Sequence, residues 1–467
     1  MNICIPPIVI VLLAPLLGAG PAHSATDLMT AWQAAQAHSA AFAAARAQWE
    51  AGLTRRRQSG ALAMPQVAAT ASGGYAALDR DTRGAQFNAP GFGAANDAAF
   101  RTHSDGGPAT AWALTAQQSL YSAERQANSR QLDRQSMLAE EQFRAARQDL
   151  IVQTAQSYFA ILVAGDSLET LRAQKAAASR AFEVAREQFE AGSTPVTDRH
   201  EAQARLDAIT TDELAASDEL QLRRSAFTDL TGLGGDTLKP LSPATTFEQF
   251  DGGPLDAWLE RAATQNPLLA MQDLGREIAR DELDKFRALF SPSLDLVARV
   301  GEERMTGGNG FGGTSTLTAN ARTIGVQLTI PLYTGGMREA KRDEAAALAR
   351  KAEFDAQALR QEIARQTRAS WLGVNTGISR VKAQMQAVQS AQARLDATET
   401  GREAGARTTL DLMNAQTDYF NARRMLAQVK YQLLLDRLRL SAVAGELTDA
   451  GLLAVNATLS ATSQHLP

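Results

Sequence analysis

The chain has almost no cysteine. Its single thiol is Cys4, which lies in an amino-terminal segment that we expect to be removed as a secretory signal. A mature chain without thiols excludes disulfide frameworks and thiolate metal sites. The five histidines show no ligand spacing either. The sequence therefore predicts no metal site and no cofactor.

Aromatic residues and excess positive charge are also scarce. Phe, Trp and Tyr make up 6% of the 467 residues, which is poor material for thick globular cores. Long tracts are instead rich in Ala, Gln and Arg, which favour long helices. The formal net charge of −4 gives no basic surface for nucleic acid, so we predict no such partner. Because no nucleophile elbow, P-loop or zinc-protease helix is present, we also predict no enzyme.

Long apolar runs are missing after the amino terminus. Residues 8–17 form a short apolar run interrupted by Pro15, and small residues follow at 22–25. This pattern predicts a signal peptide over residues 1–24. No later run is long enough to span a bilayer as a helix. A transmembrane β-barrel stays open, because its strands need only about ten residues each.

The sequence does contain an internal duplication. Gly192 matches Gly405 and Asp198 matches Asp411, and both pairs are 213 positions apart (405 minus 192, 411 minus 198). Each copy looks like the end of a long helix, a tight turn at the glycine, and the start of another helix. The predicted organisation is a first repeat at 25–232, a linker at 233–253, a second repeat at 254–445 and a tail at 446–467.

Each repeat is predicted to run helix, strand, strand, very long helix, helix. The strands follow from alternation with a period of two, most clearly where Ile324, Val326 and Leu328 share one face. We predict strands at 65–78, 110–121, 292–303 and 322–333, with a loop at 79–108. We predict first helices at 27–57 and 255–290, very long helices at 122–190 and 336–403, and tip turns at 191–197 and 403–408.

Four strands in one chain are too few to close a barrel. If their apolar faces meet lipid, the free edges must be eliminated, because unpaired backbone in hydrocarbon costs several kcal/mol per group. Several chains would then share one barrel, and three would supply twelve strands. We therefore expect a mainly α fold class with a transmembrane β-barrel. A periplasmic or surface coiled-coil scaffold without a pore is the alternative, although it has no use for the strands.

The chain resembles the TolC outer-membrane efflux family over essentially its whole mature length. The resemblance is carried by P-L-Y-T-G-G at 331–336, the E-A-G turns at Gly192 and Gly405, and G-A-R-T-T-L-D-L-M-N-A-Q at 405–416. It implies a homotrimer whose 12-stranded barrel in the outer membrane is continuous with a 12-helix periplasmic tunnel. It also implies a periplasmic adaptor protein and an inner-membrane transporter, ABC or proton-driven, as partners in efflux or type I secretion. Small molecules and a secreted protein both remain open as cargo.

The resemblance further implies a selectivity ring at the tunnel entrance. Asp411 occupies one of the family's two acidic positions, and Asn414 stands at the other. One carboxylate per chain instead of two predicts a weaker cation filter, since rings of acidic side chains select cations. A second interpretation treats Asp411 as a favourable acid in the first turn of a helix.

The family also holds the entrance shut with bonds between the two tip turns. Arg407 matches the arginine of this lock, and Thr197 and Asp198 match its partners. Arg402 stands where the family has a tyrosine, and we expect it to form a salt bridge to Asp198 instead. The alternative is that these are ordinary solvated charges of two turns.

Overall fold

The computed structural model describes residues 25–91, 93–243, 245–247, 252–287, 291–308 and 312–459. The predicted signal peptide and the last eight residues of the predicted tail lie outside these ranges. The helices are α1 (Leu28–His38), α2 (Ala40–Ala61), α3 (Ala123–Glu190), α4 (Val196–Thr231), α5 (Leu255–Gln265), α6 (Pro267–Phe286), α7 (Met337–Glu403), α8 (Thr409–Val443) and α9 (Asp449–Asn456). The strands are β1 (Gln66–Ala89), β2 (Gly93–Ser122), β3 (Ser293–Gly308) and β4 (Thr314–Thr329).

The order helix pair, two strands, very long helix, helix occurs twice along the chain. The chain divides into two units by its internal contacts. The first comprises residues 1–43, 146–266 and 363–467, and the second comprises 44–145 and 267–362. The first unit contains the turns between the long helices, and the second contains all four strands. Over the residues that the structure describes, no helix is both long and apolar enough to cross a bilayer.

The four strands form one antiparallel sheet in the order β1-β2-β3-β4. Its register places Leu114 opposite Val300 and Leu296 opposite Val326, so apolar side chains align across the strands on one face. On β4 this face is open, with Val326 61% exposed. Within the described residues, β1 and β4 are the two edges of the sheet, and each pairs on one side only.

The strands are longer than predicted, and the expected loop at 79–108 is wrong. β1 and β2 continue pairing through most of this segment, with register shifts near Ala76, Thr82 and Ala85. Arg101 on β2 binds Asp81 on β1 at 2.6 Å, so the polar residues that predicted a loop form cross-strand pairs. Pairing with a neighbouring strand overrides local preference, which sequence patterns alone do not reveal.

The last strand and the two first helices also differ from their predicted bounds. β4 ends at Thr329 instead of 333, since Pro331 has no N–H for the ladder. The helix predicted at 27–57 is interrupted at Ser39, and the one predicted at 255–290 is interrupted at Asn266. Asn266 precedes Pro267, and a residue before proline avoids the helical region. Residues 288–290 lie outside the described ranges.

The linker predicted at 233–253 packs against both ends of the described chain. The Lys239 N–H donates to the Thr26 carbonyl at 3.0 Å, and the Ser242 N–H donates to the Thr458 carbonyl at 2.9 Å. The buried Tyr158 hydroxyl lies 3.0 Å from the Thr26 carbonyl and 2.9 Å from the Lys239 carbonyl. These bonds satisfy backbone groups that an unpaired linker would leave exposed.

Candidate functional site

The two turns that link the long helices share one backbone structure. Gly192 and Gly405 have φ angles of 74° and 73°, in the left-handed region that favours glycine. Each turn closes with the pair of hydrogen bonds of a Schellman motif. In the first turn, the N–H groups of Gly192 and Ser193 donate to the carbonyls of Phe189 and Gln188, both at 2.9 Å. In the second turn, the N–H groups of Gly405 and Ala406 donate to the carbonyls of Arg402 and Gly401, at 2.9 and 2.7 Å.

Asp411 begins α8 as half of a capping box. The Asp411 N–H donates to the Thr408 hydroxyl at 3.1 Å, and the Asp411 carboxylate accepts from the Thr408 N–H at 3.1 Å. This backbone hydrogen bond, the Thr408 hydroxyl and the nearby Arg407 and Arg394 lower the pKa of Asp411 below its usual value of 3.8. The carboxylate is therefore ionised at neutral pH and remains so in mild acid.

Asn414 lies three residues after Asp411, so the two side chains share one face of α8. Asn414 is exposed, and Asp411 is half-buried. Asp411 therefore does act as a helix-capping acid, as its second interpretation held. The Asp411 carboxylate still lies at the surface, beside the uncharged amide of Asn414. Each chain thus presents one negative charge at these two positions, as the sequence predicted.

The structure brings together only part of the predicted lock. The Thr197 hydroxyl donates to the adjacent Asp198 carboxylate at 3.3 Å. Within the described part of a single chain, neither Arg402 nor Arg407 forms a salt bridge with Asp198. The Arg402 Nε is buried without a hydrogen-bond partner in that same part of the chain. The aliphatic stem of Arg407 lies over Gly401, where an added Cβ would come within 2.9 Å of the Arg407 Cγ.

Small residues pack the helices next to these turns. Ala185 on α3 and Ala202 on α4 are almost fully buried and contact Met413 of α8, together with Ala181 and Phe182. Small side chains let helices approach closely, which fixes the positions of the turn residues. Thr408 and Gly401 were not among the site residues predicted from the sequence. The spacing of Thr408 and Asp411, which fits a capping box, was the available signal for the first.

Comparison with known proteins identifies the family. A family model described as outer membrane efflux protein matches residues 31–233 and 258–446. The chain belongs to this family. The resemblance to the TolC outer-membrane efflux family is thereby confirmed, and the protein is an outer-membrane protein of this efflux family.

Two relatives illustrate the similarity in sequence. The chain is 31% identical over 335 residues to the outer membrane protein TolC of Vibrio cholerae, which covers 70% of this chain and 74% of the relative. It is also 31% identical over 344 residues to the alkaline protease secretion protein AprF of Pseudomonas aeruginosa, with 73% and 70% covered.

Solved structures of outer-membrane channels share the fold. The CmeC outer membrane channel of Campylobacter jejuni matches with a TM-score of 0.73 at 16% identity, covering 98% of each chain. The outer membrane protein VceC of Vibrio cholerae matches with a TM-score of 0.70 at 19% identity, covering 90% of this chain and 96% of VceC. The mainly helical chain with one four-stranded sheet therefore has the fold of these outer-membrane channel proteins.

Proposed function

We propose that three copies of this chain form one export channel, with a 12-stranded barrel in the outer membrane and a periplasmic tunnel made of the long helices. The observation that carries this proposal is the four-stranded sheet with two free edges and an open apolar face. An apolar face is stable against lipid, and free edges in lipid must be paired. Neighbouring copies of the same chain supply a partner strand at both edges, with β4 of one copy beside β1 of the next.

The channel is a passive duct whose energy comes from its partners. We infer that a periplasmic adaptor protein and an inner-membrane transporter, ABC or proton-driven, dock at the tip turns. The transporter selects the cargo, which is either small molecules or a secreted protein. The similarity to AprF, named for alkaline protease secretion, supports the second cargo class.

The tip lock, in this proposal, forms between neighbouring protomers. Arg402 and Arg407 do not reach Thr197 or Asp198 within the described residues of one chain, and Arg407 is exposed. The predicted pairs of Arg407 with Thr197 and Asp198, and of Arg402 with Asp198, then join the turn of one copy to the turn of the next. An exposed ion pair contributes only about 0–1 kcal/mol, so docking of an adaptor is sufficient to release it.

Planar-bilayer conductance of the purified trimer tests the channel and the lock together. We expect a small conductance for the wild type and a several-fold larger one for Arg407→Ser, because the closed state loses its bonds. Arg380→Ser, which removes an exposed arginine from the middle of α7, is the control and should match the wild type. Absence of conductance in every variant would favour the scaffold without a pore. Equal conductance of Arg407→Ser and the wild type would remove the lock.

Asp411→Asn separates the charge of this residue from its capping role. The amide oxygen of the new side chain still accepts from the Thr408 N–H, so the helix start is retained while each trimer loses three negative charges. We expect the ratio of cation to anion permeability to fall about three- to tenfold at low salt. The matched variant Thr408→Ala loses the cap, worth about 1 kcal/mol, and should keep cation selectivity.

The pH dependence of the wild type gives a second measurement on the same residue. Because the folded-state pKa of Asp411 lies below 3.8, its ionised form is present at higher pH and is lost only when the pH falls through that lowered value. We expect selectivity to be constant from pH 7 to pH 5. Loss of selectivity already near pH 5 would show that another group forms the filter.

A further inference from the structure

The point where a strand passes into a very long helix carries the same residues in both repeats. Each copy has Leu-Tyr at the end of the strand and Arg at the start of the helix, and we call this the Leu-Tyr-Arg junction. The first junction has Leu120, Tyr121 and Arg125, and the second has Leu332, Tyr333 and Arg338. The tyrosines are 212 positions apart and the arginines 213 (333 minus 121, 338 minus 125).

A β-bulge turns Tyr121 onto the apolar face of the sheet. Ser119 lies opposite Asp295, whereas Tyr121 lies opposite Leu294, because the register shifts between these two pairs. A shift of one residue moves the following side chains to the other face of a sheet. Leu294 in turn lies opposite Leu328 of β4. Tyr121 thus extends the row of apolar side chains that the proposed channel turns toward lipid.

Exposed side chains line a groove at each junction. The first groove, of about 440 Å³, has Leu120, Tyr121 and Arg125 in its lining, and the second, of about 270 Å³, has Leu332, Tyr333 and Arg338. Tyr121 is 48% exposed and Tyr333 is 88% exposed. β2 lies between β1 and β3 of its own chain, so no strand of another copy can pair beside the first groove. Exposed apolar surface of this kind is typical of a contact with lipid or another partner.

The arginines stand at an unfavourable end of their helices. Arg125 is the third residue of α3 and Arg338 is the second residue of α7. The helix dipole disfavours a cation in the first turn, so helix stability does not account for either arginine. The Arg125 N–H donates to the Ser122 hydroxyl at 3.2 Å, but its guanidinium forms no ion pair within the described chain. Arg338 lies with its guanidinium carbon 5.9 Å from the centre of the Phe286 ring.

We propose that each Leu-Tyr-Arg junction binds one phospholipid of the periplasmic leaflet, with the arginine on the lipid phosphate and the Leu and Tyr side chains against its acyl chains. This inference rests on the proposed placement of the sheet in the outer membrane, where the long helices lead from the strands into the periplasm. The planar fork of arginine matches two phosphate oxygens. Tyrosine is enriched at the boundary between hydrocarbon and head groups, so the arginine that follows it lies at the depth of the phosphate. Two junctions in each of three copies give six lipid sites.

Native mass spectrometry of the detergent-purified trimer, titrated with phosphatidylglycerol, tests the proposal. We expect saturable binding that approaches six lipids per trimer. Diacylglycerol with the same acyl chains lacks the phosphate and should bind about ten- to a hundredfold more weakly, as expected for loss of charged hydrogen bonds. Inorganic phosphate at equal ionic strength should not displace the lipid. Displacement by inorganic phosphate at the concentration where the lipid itself binds would show a site for free anions and overturn the proposal.

Variants at the junctions assign the lipids to their sites. Arg125→Gln should reduce the tightly bound lipids from six to three per trimer, and its combination with Arg338→Gln should remove the preference for phosphatidylglycerol over diacylglycerol. Tyr121→Ala should weaken binding of both lipids at the first junction about threefold to tenfold, because it removes apolar contact. Arg380→Gln removes an exposed arginine from the middle of α7 and should bind as the wild type does. Wild-type binding by the double arginine variant, or an equal loss in Arg380→Gln, overturns the proposal.

Planar-bilayer conductance distinguishes failure of the lipid sites from failure of the channel. A wild type that conducts but binds phosphatidylglycerol no more tightly than diacylglycerol overturns the lipid sites and leaves the channel in place. A protein that forms neither trimers nor a conducting pore overturns the channel, and the lipid sites with it.

Discussion

Gly445→Ala is expected to abolish folding of the chain to its native state, with a loss of more than about 4 kcal/mol in the free energy of unfolding. Gly445 follows α8 with a φ of 79° and closes a Schellman motif, in which the Glu446 N–H donates to the Ser441 carbonyl at 3.0 Å. An added Cβ would lie 2.2 Å from the carbonyl oxygen of Gln265 and 2.8 Å from the backbone nitrogen of Asn266. Both contacts are with backbone, which cannot turn away as a side chain can.

The backbone near Gly445 is held from several sides. The Asn266 side-chain amide donates to the Val443 carbonyl at 2.7 Å, and the Gln148 side-chain amide donates to the Gly445 carbonyl at 3.1 Å. Moving Gln265 aside would break the contacts made by the end of α5. The strain of the left-handed backbone therefore adds to a clash that the surroundings cannot relieve.

Gly192→Ala is the matched control for this prediction. Gly192 has a similar φ of 74° and an equivalent turn, but an added Cβ there meets nothing within 4 Å. We expect it to cost only the left-handed penalty of about 1–2 kcal/mol. The measurement is the amount of trimer in the outer-membrane fraction, followed by urea unfolding of what can be purified. Equal stability of the two variants would show that the contact with Gln265 is not tight.

Arg134→Met is expected to lower the free energy of unfolding by about 3 kcal/mol. Arg134 on α3 binds Asp281 on α6 through Nη1, and it also contacts Glu277 at 2.9 Å. The Asp281 side chain is only 4% exposed, and Arg130 contacts its other oxygen at 2.9 Å. Removing Arg134 leaves a buried carboxylate with one of its two cations, and a buried charge without full compensation is costly.

A double variant tests whether the effect comes from the unpaired charge. Arg134→Met combined with Asp281→Leu removes both partners, so it should recover part of the loss seen for Arg134→Met alone. Arg186→Met is the surface control, because the ion pairs of Arg186 within the described residues lie along its own helix, with Glu183 at 2.6 Å and Glu190 at 3.8 Å. We expect that control to cost about 0–0.5 kcal/mol. Urea unfolding in detergent measures all three, and a double variant no more stable than Arg134→Met alone would contradict this account.

Local sequence signals accounted for the very long helices of this protein and the turns that follow them. The very long helices end at Glu190 and Glu403, where we expected them to end, and the glycines that follow adopt the left-handed backbone. A helix end is set by residues within a few positions of it, through capping bonds and the freedom of glycine, so it is readable from a short stretch of sequence. The duplication likewise needed only the comparison of two such stretches.

The apolar alternation on β4 was also visible in the sequence, because side-chain direction in a strand depends only on parity. The length of the strands could not be read from the sequence. Asp81 and Arg101 look like loop residues until the register places them side by side. Cross-strand pairs join residues far apart in the chain, and no local pattern specifies them.

The sequence by itself therefore determined the repeat, the positions of the turns and the membership of an outer-membrane efflux family. Only the tertiary structure decided what each special residue touches. Gly192 and Gly445 both follow an alanine at a helix end and have similar φ angles, yet one faces open space and the other faces the backbone of Gln265. Arg134 is one of many arginines in the chain until the fold places it against the buried carboxylate of Asp281. Contacts of this kind depend on distant segments meeting in space, which is why they emerge only from the folded chain.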